Sequence, residues 1–307
     1  MNSFAYFGMK KTAFLQYLQY EKRFSHHTLI AYKNDLDQFY SFLDKVYSTV
    51  SESEVKHLHI RSWIVQLMQN GISSRSINRK LSSLKSFFKF LQKRGEITHN
   101  PTLKIISPKP KKRLVSFLSK SNVEFLLGGY EFEDNFSGVR DKTILEVLYA
   151  TGIRRSELIN MKEEHIDFFQ CYIKVMGKGK KERLVPFSNS LVRVLRNYID
   201  VCEKMNMSLK GFLFLTEKGK KLYPKLLYNI VKKHLGNITS NEQIGPHVLR
   251  HTFATHLSDN GAELNVIKEL LGHSSLAATQ IYTHNSFERI KQIYELAHPK
   301  AKKEIDS

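Results

Sequence analysis

Apolar residues in the first hundred positions recur at spacings of three and four, the repeat of a helix with one buried stripe. Phe14, Leu15 and Leu18 open the pattern. Leu29, Tyr32, Leu36, Phe39, Tyr40 and Leu43 continue it behind Ser25, a residue type suited to capping a helix start. A third segment runs from Val55 to Met68 and ends at Gly71. The fourth opens at Ser73, sets Ile77, Leu81, Leu84, Phe88 and Leu91 along one side, and meets a stop at Gly95. No alternating pattern interrupts these runs, so the spacing predicts a small domain of four helices. The opposite side of the fourth helix carries Arg75, Arg79, Lys80 and Lys85.

The segment Ser107-Pro108-Lys109-Pro110-Lys111-Lys112-Arg113 breaks the helical pattern, because two prolines exclude regular helix and cations crowd around them. Beyond it the periodicity is mixed. Helices are expected over Ser121–Gly128, Arg140–Tyr149 and from about Ile153 to Lys162. Cys171–Met176 and Glu182–Phe187 read as two strands joined by Gly177-Lys178-Gly179-Lys180, a hairpin with a basic tip. The remainder reads as mainly helical, with Pro246 at a helix start and Gly261 at its end. A last amphipathic segment follows Tyr282, with Ile290, Ile293, Tyr294 and Ala297 on one side. The fold class expected is therefore mainly α with a small β-hairpin, divided into a helical domain over residues 1–107, a basic linker over 108–115 and a mixed domain over 116–307.

Charge changes this picture more than composition does. Lys and Arg number 48 against 29 Asp and Glu, a formal net charge of +19. Such a surplus favours a polyanionic partner, since neutralising phosphates releases condensed counterions. It gives the cationic side of the fourth helix (Arg75, Arg79, Lys80, Lys85) and the linker cations Lys111, Lys112 and Arg113 a reading as DNA-backbone contacts. The two cysteines, Cys171 and Cys202, have no metal-binding spacing, and no apolar run approaches a membrane span. A cytoplasmic protein without membrane insertion is expected.

Several motifs fail on inspection. Gly177-Lys178-Gly179-Lys180 lacks the spacing and the Lys-Ser/Thr ending of a phosphate-binding loop. His247 and His251 stand four apart, as in zinc proteases, but Val248 occupies the place of the general-base glutamate. No nucleotide or metal site is read, and no cofactor is expected. What remains is a cationic set. His247 and Arg250 project from one helix face, Arg154 follows a glycine turn with Glu157 three residues on, His273 follows Gly272, and Tyr282 lies in Gln280-Ile281-Tyr282-Thr283-His284. These are the parts needed to break a phosphodiester with fixed cations: arginines for the non-bridging oxygens, a tyrosine nucleophile, and a proton donor for the leaving oxygen.

The runs Tyr149-Ala150-Thr151-Gly152-Ile153-Arg154-Arg155-Ser156-Glu157-Leu158, Gly177 through Pro186, Pro246-His247-Val248-Leu249-Arg250-His251-Thr252 and Leu271-Gly272-His273 through His284 closely resemble the tyrosine recombinases, in particular the Xer-type chromosome-dimer resolvases. The likeness extends over almost the whole chain. It implies a two-domain clamp, with an N-terminal four-helix SAM-like core-binding domain and a C-terminal catalytic domain. It implies that Arg154 and Arg250 hold the scissile phosphate, that His247 accepts the proton of Tyr282, and that His273 bonds the phosphate. Lys178 is implied to protonate the 5′-oxygen and Tyr282 to form a 3′-phosphotyrosine, with Glu157 orienting Arg154. The implied partners are two double-stranded DNA sites, a tetramer on that DNA, a second Xer recombinase in a hetero-tetramer, and an activating FtsK-type DNA translocase. The final amphipathic segment is expected to dock on a neighbouring subunit. Arg155 receives no role.

A phage or mobile-element integrase shares this chemistry, and the early start of the helical domain, leaving no room for an extra arm-binding domain, weighs against it. A non-catalytic DNA-binding relative is expected to have lost one of the six residues, and none is lost. A type IB topoisomerase acts alone and has no use for a tail that seeks a partner.

Overall fold

The computed structural model describes residues 3–48, 51–110, 116–177, 182–209, 211–239, 244–272 and 284–302. It divides into two compact units, Met1–Arg113 and Leu114–Ser307.

The first unit is helical: α1 (Ser3–Gln16), which runs into a wider π turn at Tyr17–Glu21, then α2 (His26–Tyr47), α3 (His57–Gln69) and α4 (Ser74–Lys93). Two of the starts are fixed by serine caps, Ser25 accepting from the Thr28 amide and Ser73 from the Ser76 amide. The apolar stripe read from the spacing is the core, since Phe14, Leu36, Phe39, Ile77, Leu84, Phe88 and Leu91 are all fully buried. The cationic side of α4 divides. Arg75 and Lys85 are exposed. Lys80 is buried, with its ammonium on Asp35 (3.1 Å) and on Gln38, which corrects the expectation of an open cationic face at that position. Arg79 also spends its guanidinium on Asp35, at 2.8 Å through Nη2. The physical reason is the carboxylate of Asp35, 1% exposed inside the helical unit, which must be paired to be buried at all.

The second unit is built around α6 (Phe136–Thr151), whose residues from Thr143 to Thr151 are all buried. A helix buried on every side over this stretch belongs at the centre of a layered domain. Before it lie α5 (Lys120–Glu124) and a π turn at Phe125–Gly129, shorter in true α-helix than the expected Ser121–Gly128. After it come α7 (Arg155–Ile159), a 3-10 turn at Glu163–His165, and a three-stranded antiparallel sheet of β1 (Ile166–Asp167), β2 (Tyr172–Met176) and β3 (Glu182–Pro186). The spacing gives the two longer strands but not β1, whose two residues are too few to show a period. It also extends α7 to Lys162, where the chain has already turned. The strand register pairs Ile173 with Val185 and Val175 with Arg183. All four point inward from the sheet, as their burial shows.

Helices α8 (Asn189–Lys204), α9 (Pro224–Gly236), α10 (Pro246–Asp259) and α11 (Leu264–Leu271) complete the shell. Pro246 does open α10, and Gly261, at φ +88°, follows its end. The chain then continues through α12 (His284–Ala297) and α13 (Pro299–Lys302). These last helices pack on their own unit. Ile290, Tyr294, Ala297 and Ala301 belong to the core, Tyr294 Oη donates to the Ala150 carbonyl at 3.1 Å, and Lys300 pairs with Glu146. Buried His298 stacks on the Tyr294 ring. Enough apolar area covers this segment at home, because α6 and α10 present Tyr149 and Phe253 to the His298 ring. Among the described residues, no helix is long and apolar enough to cross a membrane.

Candidate active site

The chain leaves α6 through Gly152, whose left-handed φ of +59° ends the helix and turns the backbone toward Ile153 and Arg154. Arg154 is the N-cap of α7, its amide donating to Glu157 Oε2 at 2.7 Å. From this corner its guanidinium donates to Glu157 Oε1 (2.8 Å) and to the Gly272 carbonyl (2.7 Å). Arg250 comes from α10, one turn after His247, and donates to the carbonyls of Gly152 and Leu271, both at 2.7 Å.

A third guanidinium completes the group. Arg183 of β3 places Nε on the Leu270 carbonyl at 2.8 Å, and its two terminal nitrogens on Glu157 Oε1 and Oε2 at 3.0 and 2.8 Å. The carbonyls of Leu270 and Leu271, the last two of α11, and of its cap Gly272 thus each receive a different arginine. Those groups have no partner inside the helix and carry the negative end of its dipole, so cations belong there. Gly272, at φ +62°, closes the helix, and a Cβ on it would stand 3.0 Å from the Arg183 guanidinium.

The electrostatics follow from three cations around one carboxylate. Burial acts to raise the Glu157 pKa, but the bonds and charge of Arg183, and then the bonds from Arg154, outweigh it and hold the group at about 2. Burial, then the charge of Arg154, lowers Arg250 to about 10. Both remain charged near neutrality, so this cluster keeps two positive charges uncompensated, the condition for receiving an anion. His247 stands at the exposed start of α10. Protein around its ring, then the charges of Arg155, His251 and Arg250, push its pKa below the ordinary value. A neutral imidazole at neutral pH can take up a proton.

Of the residues singled out from sequence, Arg154, Glu157, His247 and Arg250 lie together here. Lys178, His273 and Tyr282 fall outside the described residues, as do Lys111, Lys112 and Arg113. Arg155 now has a physical effect, through the His247 ring. Arg183 was missed. Its signal was the strand alternation, which puts it two residues before the core residue Val185 and so on the inward face, where a cation needs a partner.

Residues 116–289 match the phage integrase family, and residues 12–95 match the phage integrase N-terminal SAM-like domain. The chain is 41% identical to the tyrosine recombinase XerC of Thermodesulfovibrio yellowstonii, over 95% of this chain and 97% of that protein. It is 39% identical to the tyrosine recombinase XerC of Staphylococcus aureus, over 96% of this chain and 98% of that one. In fold it resembles a crystal structure of the XerH site-specific recombinase bound to a palindromic difH substrate in a post-cleavage complex. The TM-score is 0.69 and the identity 24%, over 86% of this chain and 78% of that one. The chain belongs to the phage integrase family and is a Xer-type tyrosine recombinase, a member of a class of enzymes that cleave and rejoin DNA strands.

Proposed function

We propose that this protein recombines two double-stranded DNA sites through a 3′-phosphotyrosine, and that its biological task is to resolve chromosome dimers at a dif-like site. The observation that carries the reading is the arginine cluster at the end of α11, where the Gly272 and Leu271 carbonyls hold Arg154 and Arg250. In the proposed reaction these two guanidiniums hold the non-bridging oxygens, and His273 adds a hydrogen bond. The Tyr282 oxygen attacks phosphorus and its proton passes to His247. The bond to the 5′-oxygen breaks, and Lys178 supplies the proton to that oxygen. Reversal with the 5′-hydroxyl of a partner strand rejoins the DNA, because the phosphotyrosine bond retains the energy of the bond it replaced. The charge that a metal supplies in many phosphoryl transfers comes here from arginine, so the reaction is proposed to be metal-independent.

The curated relatives named XerC support a chromosomal role for this chain. That role brings with it a tetramer on two sites, a second Xer recombinase as partner, activation by an FtsK-type translocase and a cytoplasmic location. The assignment of residues 1–107 to core binding, 108–115 to a basic linker and 116–307 to catalysis follows the same reading. The exposed Arg75 and Lys85 of α4, with the outer edge of Arg79 and the linker cations Lys111, Lys112 and Arg113, are proposed to hold the DNA backbone. The test is a supercoiled plasmid carrying two copies of the host's dif-like sequence, incubated with the protein and its candidate partner recombinase. Two smaller circles are the expected product; unchanged plasmid, with recombination found only at a phage or transposon attachment site, contradicts the chromosomal role.

A further inference from the structure

We infer that Arg183 is a positioning residue for strand cleavage, acting on Arg154 through the two protein groups that hold it. This rests on the proposed role of Arg154 at the scissile phosphate. The Arg154 guanidinium has two protein anchors, Glu157 Oε1 and the Gly272 carbonyl. Arg183 bonds the first anchor and packs close against the residue that carries the second. It grips Glu157 with a two-pronged bond, and it lies under Gly272, where its Nη1, Cζ and Cδ stand 3.0 to 3.2 Å from the place a Cβ would take. Its Nε bond to the Leu270 carbonyl, at 2.8 Å, fixes the same helix end two residues earlier.

Each Glu157 oxygen is shared between the two arginines. Oε1 receives Arg154 Nη1 and Arg183 Nη1, and Oε2 receives the Arg154 amide and Arg183 Nη2. A carboxylate gripped from one side only has one fewer constraint on its torsions, and the guanidinium it holds gains the same freedom. Arg183 itself is 6% exposed, with its donors committed inward, so it does not serve as a DNA contact. A lysine cannot replace it, because a single ammonium cannot span both carboxylate oxygens and the Leu270 carbonyl together. Arg183 also lies on β3, so its bonds tie that strand to the Arg154 corner and to the Leu270 carbonyl.

The test is a double-mutant cycle on full-length protein, with E157Q, R183Q, the double variant and R183K compared with the wild type. The probe is a nicked suicide duplex carrying the host's dif-like sequence. The readouts are the single-turnover rate of covalent adduct formation at saturating enzyme, DNA affinity by anisotropy, and thermal unfolding. R183Q is expected to cleave about 10-fold to 100-fold more slowly, the cost of a small misplacement at a reacting centre, with DNA affinity retained. Adding R183Q to E157Q is expected to cost less in rate than R183Q costs in the wild type. R183K, which keeps the charge, should fold and bind DNA yet cleave slowly. Should R183Q fail to fold, R183K and the double variant, which leaves no buried carboxylate unpaired, carry the comparison. A wild-type rate in R183K or R183Q, or an equal R183Q penalty with and without Glu157, overturns the inference. If instead R154A cleaves normally, it is the phosphate-holding reading that fails, and the two results are distinguishable.

Discussion

Arg154 and Arg250, distant in sequence, donate to adjacent carbonyls at the end of one helix, Gly272 and Leu271, each at 2.7 Å. Burial first, and then the repulsion between these neighbouring guanidiniums, lowers the Arg250 pKa. The helix end offsets the repulsion with its orphan carbonyls and dipole, and Glu157 adds a full negative charge. The result is a cluster of cations held by the protein's own groups, and on the proposed reading such fixed charge lowers the barrier without reorganisation during the reaction.

Removing either guanidinium should therefore slow cleavage far more than it weakens binding. Arg154→Ala and Arg250→Ala are each expected to lower the single-turnover rate by about 100-fold or more, the cost of one preorganised donor to a developing anion. Quenched-flow cleavage of a suicide duplex checks this, and a rate near wild type in either variant counts against the clamp.

The acid side of the pH–rate profile should report His247. Its pKa lies below the ordinary histidine value, through the protein around its ring first and the Arg155 charge next, so the neutral base persists into mildly acid solution. Arg155→Ala removes a nearby cation, which favours the protonated imidazole and raises that pKa. The acid limb should then move to higher pH. A limb that stays in place, or moves lower, contradicts the coupling.

Gly152 does two jobs at the entrance to the site. Its φ of +59° turns the chain after α6, and a Cβ there would meet the Phe253 ring at 2.4 Å. Gly152→Ala should cost about 2 kcal/mol or more, from backbone strain and overpacking together. Calorimetry should show the catalytic unit melting about 5 °C lower. An unchanged midpoint would mean that ring and turn relax freely.

His298 makes the stability of the second unit depend on pH. Burial lowers its pKa from the ordinary 6.5 to about 3, so the folded protein keeps it neutral while the unfolded chain protonates it. A base with a depressed folded pKa loses its contribution as pH falls below 6.5, with a slope of up to about 1.4 kcal/mol per pH unit for the one proton. His256, also lowered by burial, adds in the same direction. Urea unfolding between pH 7 and 5 should show stability falling, and His298→Phe should flatten the fall. An identical slope in that variant refutes the assignment.

Much of this was legible in the sequence where a period or a local motif carried it. The core stripe of α4 followed from spacing alone, and the Gly152–Arg154–Glu157 corner from a glycine turn and an i, i+3 pair. What escaped notice depended on contacts between distant segments. Lys80 looked like its neighbours on the α4 surface, and only the fold reveals that Asp35 lies beneath it. Arg183 carried a strand-face signal, but nothing local says that its partners are Glu157 and the end of α11. The tail looked unpartnered because its partners, among them Ala150 and Glu146, come from a helix far earlier in the chain.

The central claim is that Tyr282 becomes joined to DNA. A nicked suicide duplex carrying the dif-like sequence, incubated with wild-type protein and resolved under denaturing conditions, should give a covalent protein–DNA band. Tyr282→Phe should bind the same duplex with similar affinity and give none. A band of equal strength from the phenylalanine variant, or no band from the wild type on a duplex it binds, would contradict the account.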